Sequence, residues 1–140
     1  MSVTAPKGFV ASGVANGFMP RAHYVRFMHA FIVALPLVLA YLPALSLNSP
    51  KARINLPNRE YWLAPVRRAE TIKVLREHMV RVAALLVVFL SYVHWLVVRA
   101  NMVVPPSLPA PWFFGGLLVF VLSVLVWAGL FIGHFRNVPR

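Results

Sequence analysis

Histidines are the side chains in this chain whose type and position could support chemistry. His29 and His94 fall near one end of two apolar stretches, and His78 and His134 fall near the opposite end. Two histidines on separate helices at equal depth suit the axial ligation of a b-type haem, and one pair in each leaflet suits electron transfer across a membrane. Depth alone does not place the rings on facing surfaces. We therefore favour interfacial histidines without a cofactor, with haem b or quinone binding as the alternative.

The chain has few residues that could support carboxylate or thiol chemistry. The chain has no Cys, and its three acids are Glu60, Glu70 and Glu77. Glu70 and Glu77 stand two turns apart on one helical face, about 10 Å, which is too far for a single metal ion. No phosphate-binding loop, dinucleotide fingerprint, zinc-protease pair or nucleophile elbow occurs. We expect no catalytic residues and no metal ligands, and hence a protein that is not an enzyme.

The composition indicates a membrane protein. Hydrophobic residues make up 60% of the 140 residues and charged residues 12%. In soluble domains, hydrophobic residues make up a little under half of the chain and charged residues about a quarter. A chain of this length cannot hide so much apolar surface in one core, because a domain of about 150 residues leaves nearly a third of its unfolded surface exposed.

Three stretches without charge are long enough to span the bilayer. Residues 27–47 and 112–132 each provide 21 positions, and residues 82–98 provide 17. In lipid each must be a helix, since a span satisfies its own backbone hydrogen bonds. The predicted fold class is therefore all-α: an integral membrane protein with three transmembrane helices and one amphipathic cytoplasmic helical extension.

The segments between the spans differ in character. Residues 1–26 contain a stretch rich in small and polar residues that predicts a loop or frayed tail, and residues 99–111 form a Pro-rich connector. Residues 48–81 form a basic loop in which an amphipathic helix begins at about Pro65 and runs into the second span. Residues 133–140 form a tail. The apolar stripe of the amphipathic helix comprises Val66, Ala69, Ile72, Leu75 and Met79.

The basic residues predict the orientation. Ten of the 14 Lys and Arg lie on the side that holds residues 48–81 and the tail. The positive-inside rule places that side in the cytoplasm, with the N-terminus and residues 99–111 outside. We expect a multi-pass protein of the bacterial inner membrane. The ten are Lys51, Arg53, Arg59, Arg67, Arg68, Lys73, Arg76, Arg81, Arg136 and Arg140; Lys7, Arg21, Arg26 and Arg99 lie opposite.

Candidate contact residues follow from the same pattern. Anionic headgroups explain the cations of the amphipathic helix better than nucleic acid does, although docking of a partner through its stripe is an open alternative. Gly129 and Gly133 form a small-xxx-small pair that allows close helix packing, either within the chain or with a membrane partner or a second copy. The predicted surface contacts are Arg67, Arg68, Lys73, Arg76 and Arg81.

Four segments carry a resemblance to a known family. Ile54–Pro65 reads INLPNREYWLAP, Arg67–Thr71 reads RRAET, Tyr92–Asn101 reads YVHWLVVRAN, and Ala11–Met19 reads ASGVANGFM. Together they resemble small bacterial integral membrane proteins with a domain of unknown function that also occurs in the membrane immunity protein against the sporulation-delaying toxin.

The resemblance implies an exported location for the first 22 or so residues, which agrees with the charge count, and it implies no activity. It also implies a transmembrane helix before Ala11, where this chain has no apolar run. We expect a family member without that first helix. The expected function is an accessory, sensory or immunity-like membrane component.

Overall fold

A computed structural model of the chain describes residues 4–6, 17–47 and 54–139, with the side chains of 4–6 and 42–47 outside the description. The predicted segment around residues 11–16, together with Lys7, Lys51, Arg53 and Arg140, lies outside the described residues. The elements in chain order are β1 Thr4–Pro6, β2 Phe18–Pro20, α1 Arg21–Leu47, α2 Arg59–Trp62, α3 Arg68–Ala100 and α4 Ala110–Arg136.

Three helices are long and apolar enough to cross a membrane, which fits the predicted all-α class. They are Arg21–Tyr41 within α1, all 33 residues of α3 and all 27 residues of α4. These helices contain the described parts of the three predicted spans. Residues 101–109 join α3 to α4 without a helix, as their prolines predict.

The predicted amphipathic helix and second span form one continuous helix, α3. It begins at Arg68 rather than at Pro65. Pro65 lies in a turn instead, in which the carbonyl of Ala64 accepts the backbone N–H groups of Arg67 and Arg68 at 2.9 Å each. That turn reverses the chain after α2 and leaves Pro65 outside the helical hydrogen-bond pattern.

The N-terminal segment contains a short sheet where a loop or frayed tail was expected. β1 pairs antiparallel with β2, and Ala5 lies opposite Met19 in the register. β2 leads directly into α1 at Arg21. The expectation failed because small and polar residues carry little strand signal, and three-residue strands are stabilised by their pairing rather than by propensity.

α3 is the central helix of the three, because α1 and α4 both pack against it. At the start of α4, Gly116 allows a close approach: a Cβ atom there would collide with the ring of Tyr92 on α3. The Tyr92 hydroxyl also donates a 2.7 Å hydrogen bond to the carbonyl of Trp112. Further along the same contact, the rings of Phe89 and Phe120 stack with centroids 4.4 Å apart.

A buried apolar cluster lies at the end where α3 begins and α4 ends. Its buried members are Leu56, Leu75 and Phe135, and Phe135 is 0% exposed. Residues 54–67, which we call the cap, supply much of the surrounding surface, including Ile54 and Trp62. We call this the cap end of the helices and the opposite end, at residues 101–109, the loop end.

Side chains of the cap close the end of α4. Asn58 donates through Nδ2 to the carbonyls of Phe135 at 3.2 Å and Arg136 at 2.9 Å. The indole N–H of Trp62 also donates to the Phe135 carbonyl, at 2.8 Å. The last carbonyls of a helix have no partner within the helix, so these bonds satisfy groups that would otherwise be orphaned. Asn58 itself adopts a left-handed conformation with φ of 52°, which Asn tolerates better than most residues.

The buried face of α3 near the cap is shifted from the predicted apolar stripe. Val66 is 94% exposed in the turn before the helix, whereas Thr71, Leu75 and His78 are buried. Thr71 is satisfied there because its hydroxyl donates to the carbonyl of Trp62 at 2.7 Å. The buried face of α3 is therefore the one whose Thr71 hydroxyl bonds to the cap. A pattern of apolar residues alone does not identify that face.

Candidate functional site

α3 carries a histidine toward each end, and each meets a histidine of a different neighbouring helix. His94 meets His29 of α1 near the loop end, and His78 meets His134 of α4 near the cap end. His78 and His94 are 16 positions apart, a rise of about 24 Å along the helix. These are the two pairs that the sequence placed at equal depths, and the structure brings both together.

The pair near the loop end is held by local hydrogen bonds and ring stacking. The His29 and His94 ring centroids are 5.9 Å apart with planes at 71°. Since the Val25 carbonyl 2.7 Å from His29 Nδ1 can only accept, Nδ1 of His29 carries the proton. Tyr24 stacks on His94 at 5.7 Å, and its hydroxyl lies 3.3 Å from His94 Nδ1. Both Nδ1 atoms are therefore occupied by partners within the chain.

The pair near the cap end joins a buried ring to an exposed one. The His78 and His134 centroids are 6.1 Å apart with planes at 54°. His78 is 6% exposed and meets the Phe131 ring edge-on at 5.2 Å. The Trp127 indole N–H donates to the backbone carbonyl of His78 at 3.0 Å, which fixes α4 against α3 at this level.

His134 is exposed and belongs as much to the cap as to the pair. Its ring stacks on Trp62 with centroids 5.5 Å apart and planes at 28°. Trp62 in turn meets Phe135 edge-on at 5.5 Å. His134 thus connects the cap, the end of α4 and His78 in one aromatic cluster.

Each histidine pair can supply two nitrogen ligands. Among the residues that the structure describes, no group of three or more His, Cys, Asp or Glu is placed to hold a metal ion. Two ligands per site match the axial requirement of a haem and fall short of the four that a structural zinc requires.

The predicted surface cations lie at the cap end on exposed or half-buried positions. Arg67, Lys73, Arg76 and Arg81 are exposed, and Arg68 is half-buried. The Arg67 guanidinium lies over the ring of Tyr61, 4.0 Å from its centroid, which is a cation–π contact within the chain. Arg67 is therefore partly engaged by the cap, while Arg81 lies further along α3 beside His78.

The small-xxx-small pair makes no packing contact in the described part of the chain. Apart from the neighbouring backbone of α4 itself, no atom of the described residues lies within 4 Å of the Cβ that either Gly129 or Gly133 would carry. The contact of α3 with α4 uses Gly116 instead, at the opposite end of α4. In the described residues the pair therefore makes no close contact with another helix of the chain. Packing of Gly129 and Gly133 against another chain stays a prediction.

Sequence reasoning missed the residues that build the cap. Asn58 and Trp62 act on the end of α4, more than 70 positions away, and short local patterns carry no signal for such a contact. The available signal was indirect. α4 ends at Arg136 and is followed by Asn137 rather than by a capping Gly. Its last carbonyls therefore need donors from elsewhere in the chain, and Asn58 and Trp62 carry side-chain N–H groups that can supply them.

No family model, curated protein or solved structure matches the chain. The resemblance to bacterial membrane proteins with the immunity-protein domain therefore stays a prediction.

Proposed function

We propose that this chain is a non-enzymatic, multi-pass component of the bacterial inner membrane that serves as an accessory, sensory or immunity-like subunit. The observation that carries the proposal is the open face of α4. Within α4, Phe135 is the one buried residue, and side chains as large as Leu118 and Leu125 are 60% exposed each. Such a helix has a whole side available for a neighbour in the membrane.

The two open glycines support this proposal. Without a hydrophobic driving force in lipid, helices associate where small residues let backbones approach closely. Gly129 and Gly133 provide such a place on the exposed side of α4, close to the cap end. The family resemblance, which implies no activity, and the small number of carboxylates agree with a role in contact rather than catalysis.

The test of this proposal substitutes Gly133. In lipid vesicles or extracted from its own membrane, the wild-type chain should run as an assembly larger than its 15.7 kDa. Gly133→Leu should weaken the assembly about tenfold because the side chain separates the helices, whereas Gly133→Ala should weaken it much less. Native mass spectrometry measures the assembly. A wild-type chain that is monomeric in its own membrane, or an assembly that Gly133→Leu leaves unchanged, contradicts the proposal.

We further propose that the cap end lies in the cytoplasm. Arg59, Arg67, Arg68, Lys73, Arg76, Arg81 and Arg136 belong to the cap end among the described residues. Arg99 ends α3 at the loop end, and the contact of His29 with His94 puts the start of α1 there too, with Arg21 and Arg26. Basic residues gathered on one side favour a cytoplasmic location for it.

A reporter fusion checks this orientation. A reporter active only in the cytoplasm should be active when fused after Arg140 and silent when fused before Phe27. The positive-inside bias is the physical reason, since translocating the basic side is disfavoured. An active fusion before Phe27 together with a silent fusion after Arg140 would reverse the orientation.

A second function has one specific observation in its favour. Both histidine pairs proposed for haem or quinone binding, His29 with His94 and His78 with His134, come together in the structure at 5.9 and 6.1 Å between ring centroids. One pair toward each end of α3 is the arrangement that a redox anchor with two haems would use.

A reduced-minus-oxidised absorption spectrum of the detergent-purified protein separates the two functions. The accessory function predicts no haem bands. The redox anchor predicts bands that decrease in His94→Ala and His78→Ala because each removes one axial ligand. His23→Ala is the matched control, since His23 is exposed on α1 and belongs to neither pair. Bands with that pattern would replace the accessory function by the redox one.

A further inference from the structure

A groove lined by apolar side chains runs along the contact between α3 and α4. It consists of two cavities of about 540 and 700 Å³. The two share four lining residues and therefore adjoin each other. Tyr92 marks one end and His78 the other, 14 positions apart on α3 and about 21 Å along its axis. The shared residues are Leu85, Val88, Val119 and Ser123.

The two ends of the groove differ in polarity. In the cavity toward the cap end, the polar lining groups among the described residues are His78, Arg81, Ser123 and the indole of Trp127. Two of these four are already engaged. The Ser123 hydroxyl donates to the carbonyl of Val119, and the Trp127 N–H donates to the carbonyl of His78. The groups available to a bound molecule are therefore Arg81 and His78, one turn apart on the same side of α3.

His78 lacks a partner that its burial requires. The side chain is 6% exposed, and its Nδ1 atom is buried without a hydrogen-bond partner in the described structure. Buried polar atoms in folded proteins are nearly always hydrogen-bonded, to the chain, to water or to a ligand. A polar group from outside the chain is therefore expected beside His78, at the position where the exposed guanidinium of Arg81 adds a positive charge.

We propose that this groove binds one anionic phospholipid, with its phosphate group at Arg81 and His78 and one acyl chain along Leu85, Val88 and Val119. This site rests on the proposed membrane location of the chain, and it goes beyond the accessory role. A molecule with one charged end and a long apolar remainder matches a groove that is basic at one end and apolar along its length. A net negative headgroup is preferred because no carboxylate lines the cavity among the described residues.

The lining also separates this site from the general attraction of a basic surface for lipid. Arg76 is an exposed cation on α3 that does not line the groove. It precedes His78 by two positions, which turns it about 200° around the helix axis. General attraction of anionic lipid to a basic surface should depend equally on Arg76 and Arg81. Binding of one lipid in the groove should depend on Arg81.

Native mass spectrometry of the full chain, released from bilayers with equal amounts of phosphatidylglycerol and phosphatidylcholine, tests the site. The wild-type chain should retain one phosphatidylglycerol. Arg81→Gln should lower that retention about fivefold, because this is the change in affinity expected from losing the attraction of one cation for an anionic lipid. Arg76→Gln should leave the retention nearly unchanged. Val119→Phe, which places a ring in the groove, should also lower retention, with circular dichroism confirming that the helices persist.

Four results would overturn the site. Equal retention of the two lipids, or equal effects of Arg81→Gln and Arg76→Gln, would mean annular lipid only. Retention of a neutral isoprenoid quinone in place of the phospholipid would mean a different ligand. A second copy of the chain that excludes lipid from the wild type would mean that protein fills the groove. A chain that is monomeric yet retains the lipid would contradict the accessory function and leave this site standing.

Discussion

The hydrogen bonds from Asn58 and Trp62 to the last carbonyls of α4 are the interaction on which the rest of the structure depends. They bring the cap over the end of a helix that follows it by more than 70 positions. With the cap in place, Phe135 becomes fully buried beside Leu56. The Thr71 hydroxyl joins the start of α3 to the same segment through the carbonyl of Trp62. One short segment thus connects both helix ends.

Burial is uneven along the three helices. Many large apolar side chains along the spans are exposed, as expected of residues that face lipid, where no hydrophobic effect drives them to pack against each other. One buried cluster lies at the cap end, and Leu96 and Ala100, each 1% exposed, are buried toward the loop end. α4 is therefore held at one end by the cap and at the other by Tyr92 and Gly116, with a groove between. The exposed face of α4 and the groove between α3 and α4 follow from these two points of contact.

The spans and the histidine depths could be predicted from the sequence because both follow from hydropathy and helical rise alone. His29 lies against His94 and His78 against His134, at the depths predicted, although depth alone did not place the rings on facing helix surfaces. The cap could not be predicted, because it depends on contacts between distant segments. The buried face of α3 could not be predicted for a related reason: the buried Thr71 hydroxyl donates to the carbonyl of Trp62, and hydrophobic periodicity carries no signal for that partner.

The most direct measurement of this account compares two truncations on α4. Phe135 is 0% exposed in the cluster under the cap, and Leu118 is 60% exposed near the other end of α4. If the cap buries Phe135, Phe135→Ala should lower the free energy of unfolding in lipid nanodiscs by about 3–5 kcal/mol, the usual cost of emptying a buried aromatic site. Leu118→Ala should change it little. Equal losses from the two substitutions would contradict the burial of Phe135 under the cap.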